Sequence, residues 1–337
     1  MRHRTLSLFW LICCSIAGGL VSTLPAMGLL MPCYGNTSSQ FSAALSAADK
    51  IPVIAVINPS DGPTSSSIGS IRNFSSNMRG KGGQVVGYIN TFYGGLSYSD
   101  VESQMDRYIS QYSVNGFFLD EVADNNSGYY GGVNSRATSR GKYIVSNPGT
   151  FVPSSYASRA RTIVTYEDPY SAGWSSHTQS GWTGGYSEDK FGAVIYSAAS
   201  GQLASIIQRA RTLRYGWIFV TDRGGSDPFG AAPSYLTTEV ELIRQVNLPT
   251  PVPAEEFRVL ASTRNPATGA VTLSFPAATG RSYAVEYSDS LTTWQRAVFA
   301  SDGKEATLVA TAVTMSMTVT APGASSRRFF RIADVTP

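Results

Sequence analysis

Short apolar runs recur along the first two-thirds of the chain, and each ends abruptly in polar or charged residues. Eight of them, at 28–31, 53–57, 85–89, 116–119, 143–145, 162–166, 191–196 and 217–221, read as strands. An unbroken apolar run of this length suits a strand covered on both faces, as in a parallel sheet. Residues 39–50, 68–79, 100–112 and 201–214 instead place apolar residues at helical spacing, with Asp100 positioned as an N-cap. The gaps between runs allow a helical return each time, and no antiparallel pattern interrupts the series. Eight such units predict an α/β protein, a closed (β/α)8 TIM-like barrel over residues 27–248. A doubly wound open sheet is the structural alternative.

The texture changes after Asn247. Residues 249–254 are a stiff, Pro-rich linker, and from 255 to 337 short alternating runs follow one another. Runs at 257–261, 271–275, 283–287, 293–299, 306–310, 316–320 and 328–332, separated by turns such as Asn265-Pro266 and Asp302-Gly303, predict a small all-β sandwich. Through Ser282 to Ser288 and Trp294 this tail resembles fibronectin-type-III-like accessory modules. No catalytic grouping occurs in it.

The strand ends are where the barrel sequence turns polar. Strand four runs into Asp120-Glu121, strand six into Glu167-Asp168 and strand eight into Asp222-Arg223, while strands two, three and five end at Asn58, Asn90-Thr91 and Asn147. In a barrel these tips share one rim, where active sites lie. Asp120, Glu121 and Glu167 are the candidate catalytic residues, because two carboxylates across a cleft can cleave a glycosidic bond. One protonates the leaving oxygen, and the other acts as nucleophile or as base toward water. Alternation aims Asp120 and Glu121 apart unless the strand stops between them. Each acid could instead cap a helix or pair with an Arg, and Asp222 reads most simply as an ion pair with Arg223. Tyr34, Asn58, Tyr88, Thr91, Tyr93, Asn147, Tyr196 and Asp222 are the candidate substrate-binding residues. Aromatic rings that cover sugar faces, with polar tips for hydroxyls, recur in these loops: Phe92, Tyr129, Tyr130, Tyr170, Trp174 and Trp182 join Tyr34, Tyr88, Tyr93 and Tyr196.

Composition narrows the setting. Hydrophobic residues make up 42% of the 337, ample for a core, but charged residues only 15%. A net charge of +3 without a Lys/Arg run gives no case for nucleic acid. Residues 1–26 read as a cleavable targeting segment, with basic Arg2 and Arg4 before an apolar stretch at 6–21. Its removal takes Cys13 and Cys14, leaving Cys33 with no internal disulfide partner. No cysteine nucleophile, metal site or cofactor is expected. The expected product is a secreted or cell-surface monomer, free of the membrane after cleavage, with a polysaccharide as partner.

Several segments, in order, carry a resemblance: Gly28-Leu29-Leu30-Met31-Pro32, Ile57-Asn58-Pro59-Ser60-Asp61-Gly62-Pro63, Val86 to Gly94, Gly116 to Glu121, Ser146-Asn147-Pro148-Gly149-Thr150 and Thr165-Tyr166-Glu167. They resemble the spherulin-4 family, which is similar to glycoside hydrolase family 135, (β/α)8 enzymes that cleave α-1,4-linked N-acetylgalactosamine polymers such as galactosaminogalactan. The resemblance implies catalytic roles for Asp120, Glu121 and Glu167. The chain departs from it at Gly95-Leu96, where many members carry a basic residue, and at Asp61 and Thr64. The tail lies outside it. The competing reading is a matrix-associated carbohydrate-binding protein that keeps the barrel without activity.

Overall fold

The computed structural model describes residues 26–65, 67–248, 258–322 and 328–336. The targeting segment before Ala26 and the Pro-rich linker lie outside the described residues. Eight parallel strands close into a barrel in sequence order: β1 (Gly28–Cys33), β2 (Val53–Ile57), β3 (Gln84–Asn90), β4 (Gly116–Asp120), β5 (Tyr143–Ser146), β6 (Thr162–Pro169), β7 (Phe191–Tyr196) and β8 (Trp217–Val220). Closure is made by Gly28 beside Trp217 and Leu29 beside Ile218. The closed barrel replaces the open-sheet alternative.

Six α-helices surround the barrel among the described residues: α1 (Ser38–Ala48), α2 (Ile68–Gly80), α3 (Tyr98–Arg107), α4 (Ser127–Ser139), α5 (Leu203–Thr212) and α6 (Leu236–Val246). The helices α4 and α6 have no counterpart in the pattern reading. Gly128, Gly131, Gly132 and three serines hide α4, whose helix is fixed by burying Tyr130, Val133 and Ala137. After β5 and β6 the returns are 3₁₀ turns instead, at Ser154–Ser158, Tyr170–Ala172, Trp174–Ser176 and Gly181–Gly185. Pro148, Pro153, Pro169 and the Gly/Ser content there oppose a long α-helix. Asp100 is not the cap of α3. Ser97 caps it, accepting the Asp100 N–H at 3.2 Å, and Asp100 sits in the first turn, where its charge suits the helix dipole.

The barrel core is one cluster that draws on residues from Met27 to Ile243. Gly87 has a local packing reason: a Cβ there would lie 2.4 Å from the Tyr108 ring, which starts a single π-helical turn after α3.

The C-terminal region has its own core of Leu273, Phe275, Tyr283, Val285, Ala297, Met317 and Val319, between two antiparallel sheets. One sheet holds β9 (Ala261–Arg264), β10 (Val271–Pro276), β13 (Val298–Phe299) and β15 (Thr314–Thr320). The other holds β11 (Ser282–Ser288), β12 (Gln295–Arg296), β14 (Thr307–Val309) and β16 (Phe329–Asp334). The run expected at 293–299 is split into β12 and β13, which pair in different sheets.

Candidate active site

The site begins with where β4 stops. Asp120 is its last residue, in register with Asn90 of β3. Glu121 has left the strand with a left-handed φ of 48°, so alternation no longer sends it to the outer face. Two residues before Asp120, Phe118 lies beside Tyr88 with rings stacked at 6.4 Å. The Tyr88 hydroxyl donates to Asp120 Oδ2 at 2.9 Å. Thr91 fixes the junction from below: its hydroxyl lies 2.9 Å from the Asp120 carbonyl and 2.8 Å from that of Glu121.

Glu167 reaches the mouth through an irregularity. The register of β6 against β7 slips between Val164 and Tyr166, so Thr165 is an extra, bulged residue. Regular alternation would put Val164 and Tyr166 on one face, and Thr165 and Glu167 on the other. Val164 faces inward, close enough to Gly192 and Leu30 that a Cβ on Gly192 would touch both. Thr165 and Tyr166 both face the outer layer. Thr165 Oγ1 lies 3.2 Å from the Tyr215 hydroxyl, and the Tyr166 ring packs on Trp174 and His177. The bulge thus shifts the phase by one residue and returns Glu167 to the inner face. His177 Nε2, 2.7 Å from the same Tyr215 hydroxyl, completes the support behind the bulge.

Asn147, just past β5, ties the two acids together. Its Nδ2 donates to Asp120 Oδ1 at 2.8 Å and also to Glu167 Oε2. Two hydrogen bonds to one nitrogen place those oxygens within roughly 5.5 Å of each other. The Asn147 side chain is buried, and its own Oδ1 has no protein partner among the described residues. Burial, followed by the neighbouring Asp120 charge, pushes Glu167 up to about 7, against a smaller downward pull from Asn147. Burial, with the fields of Asp120 and Glu167, likewise raises the Tyr34 phenol well above its ordinary range. Tyr34 packs edge-on against Tyr88 at 5.4 Å. Burial, then the charges of Asp168 and Glu167, raises the phenol of Tyr196, which ends β7.

Not every candidate presents a free group. Asn58 is spent on its own turn: its Oδ1 accepts from the Gly62 N–H at 3.1 Å and its Nδ2 donates to Asp61 at 3.2 Å. Thr91 is fully buried, with its hydroxyl on the backbone of β4. Asp222 is exposed and accepts from the Ser234 N–H at 3.2 Å, so the Arg223 ion pair is replaced by a loop cap. Trp174 and Tyr130 are buried, and neither belongs to an exposed platform. Phe92 and Tyr93 are exposed. Cys33 is buried at the end of β1, and burial pushes its thiol up to about 12. Sequence reasoning missed the support given by Tyr215, His177 and Thr165. Only the unexpected threonine in an apolar strand hinted at it.

A closed parallel barrel with carboxylates gathered on its C-terminal rim defines a TIM-like (β/α)8 protein with a candidate acid pair at its mouth. Residues 29–243 match the model of spherulation-specific family 4, and the chain belongs to that family. Spherulin-4 of Physarum polycephalum is 31% identical over 239 residues, covering 65% of this chain and 70% of the relative. Among solved structures, Aspergillus clavatus Sph3 in complex with GalNAc superposes with a TM-score of 0.55 at 21% identity, over 65% of this chain and 98% of that one. That likeness is one of fold.

Proposed function

We propose that this protein is a secreted glycoside hydrolase that cleaves an amino-sugar polysaccharide of the α-1,4-linked N-acetylgalactosamine type within the chain. The observation that carries the reading is the pair of acids bridged by Asn147 at the barrel mouth. Glu167, pushed up to about 7, holds a proton near neutrality and can give it to the glycosidic oxygen. Asp120, held by Tyr88 and Asn147, faces the developing positive charge at the anomeric carbon and serves as nucleophile. The short spacing of the two acids favours double displacement with retention, in which Glu167 then activates the water that releases the product. Glu121 orients the β4 tip. Family membership supports this reading, as does the GalNAc bound by the structurally similar Sph3.

The test is incubation of the full-length chain with partly deacetylated galactosaminogalactan, following new reducing ends and the anomer first released. Reducing ends in α configuration support the proposal, and no release from this polymer sinks the substrate assignment.

A further inference from the structure

Two aromatic residues on the β3 loop have no packing reason for their position. Phe92 and Tyr93 are 60% and 66% exposed, the highest values among large hydrophobic side chains of the barrel, and neither joins its core. Both have left-handed backbones, with φ of 48° and 54°. That conformation costs roughly 1–2 kcal/mol for each bulky residue. It is imposed from outside. The Phe92 N–H donates to Asn90 Oδ1 at 2.7 Å, and the Tyr93 N–H donates to the Glu121 carbonyl at 2.8 Å. With Thr91 on the carbonyls of Asp120 and Glu121, the loop is locked to the residues that bear the acids. The fold therefore keeps strain while holding two rings in water on a loop tied to the β4 tip.

The charge around them is one-sided. The strand tips, with the segments from each to the next helix or 3₁₀ turn, carry Asp61, Asp120, Glu121, Asp124, Glu167, Asp168, Asp222 and Asp227 but, of Lys and Arg, only Arg223. A polyanionic chain is repelled by such a mouth, and a neutral or amine-bearing chain is not. We propose that Phe92 and Tyr93 form a binding ledge for the apolar face of a pyranose ring, in a neutral or amine-bearing polysaccharide whose neighbouring residue lies across Asp120 and Glu167. This ledge rests on the hydrolase reading above. It explains why the rings are wet, since their partner is the substrate, and why the backbone is strained, since the strain aims them. A protonated amine on the sugar gains further from the ring faces.

Phe92→Gly and Tyr93→Gly remove each ring and also release the left-handed strain. Made in the full-length chain with Glu167→Gln, so that bound polymer stays intact, they are tested against soluble galactosaminogalactan, a neutral β-glucan and a polyuronate, with Tm measured alongside. Each glycine should weaken galactosaminogalactan binding about tenfold, while Tm holds or rises, and the polyuronate should not bind. Unchanged polymer affinity, a lowered Tm in both variants, or no binding to any polymer overturns the ledge. So does a dimer that the glycines dissociate, because the rings would then cover a second copy. Ring-dependent binding of the β-glucan alone keeps the ledge and refutes the amino-sugar assignment. Cleavage of galactosaminogalactan with ring-independent binding refutes the ledge alone.

Discussion

Asn147 holds the two acids in one constellation, and its removal should separate their roles. Its hydrogen bond pulls the Glu167 pKa down against burial and the Asp120 charge. Asn147→Ala should therefore move the alkaline limb of the kcat profile to higher pH, besides lowering kcat; an unmoved limb would show that Asn147 does not tune Glu167. In the unaltered protein, activity should fall as pH rises through about 7, where Glu167 loses its proton. Glu167→Gln should cut turnover about a thousandfold or more with the fold intact. Full activity in this variant would refute the acid assignment. Stability follows the same group. Because its folded pKa lies above the unfolded value, the folded state holds the extra proton in between. Its contribution is complete below the ordinary carboxylate range and is lost as pH rises through about 7. Glu167→Gln should flatten that part of the stability profile, as read by denaturant midpoints across pH.

At the scale of elements, the bulge in β6 decides where Glu167 points. Thr165→Val removes the hydroxyl that meets Tyr215, which keeps His177 as a partner, so the loss should be that of one net hydrogen bond, about 0.5–1.5 kcal/mol. Deleting Thr165 removes the bulge but leaves Val164 inward, Tyr166 outward and Glu167 inward, in the register they already hold, so Glu167 should keep its aim. Turnover should then persist in a folded deletion variant, and a fall as deep as in Glu167→Gln would show that the bulge does more than absorb one residue of phase. The strand tips themselves were readable in advance, because apolar runs end where backbone and side chains meet water. The ending of β4 between Asp120 and Glu121 was readable only as a condition, and the left-handed Glu121 meets it.

At the scale of the molecule, the chain divides its cores. The barrel core and the C-terminal core are separate clusters, and the acids gathered at the site all come from barrel strands. A chain ending at residue 248 should thus cleave soluble oligosaccharides as the full chain does and lose only action on insoluble or cell-bound polymer. Loss of soluble activity from a folded truncated barrel would overturn that division. Secretion is proposed from the same scale of evidence, and the N-terminus of exported protein should begin near Met27.

The sequence by itself determined the eight strands, their parallel order and the rim, because burial on both faces demands unbroken apolar runs and their ends must be polar. It also held Asp120, Glu121 and Glu167 as the acids at those ends. Tertiary structure decided what no local pattern encodes. Helix α4 forms against its glycines because packing of Tyr130 and Val133 outweighs propensity. Asn58 and Asn147 precede the same residue type, Pro, yet one closes a turn and the other bridges two acids, since only the second lies between strand tips that carry carboxylates. The inward aim of Glu167 needed Thr165 to bulge out of the β6 ladder, held outward by Tyr215 from a distant part of the chain. The proton shared out between equal carboxylates is set by burial and by neighbouring charge, both of which exist only once the barrel has closed.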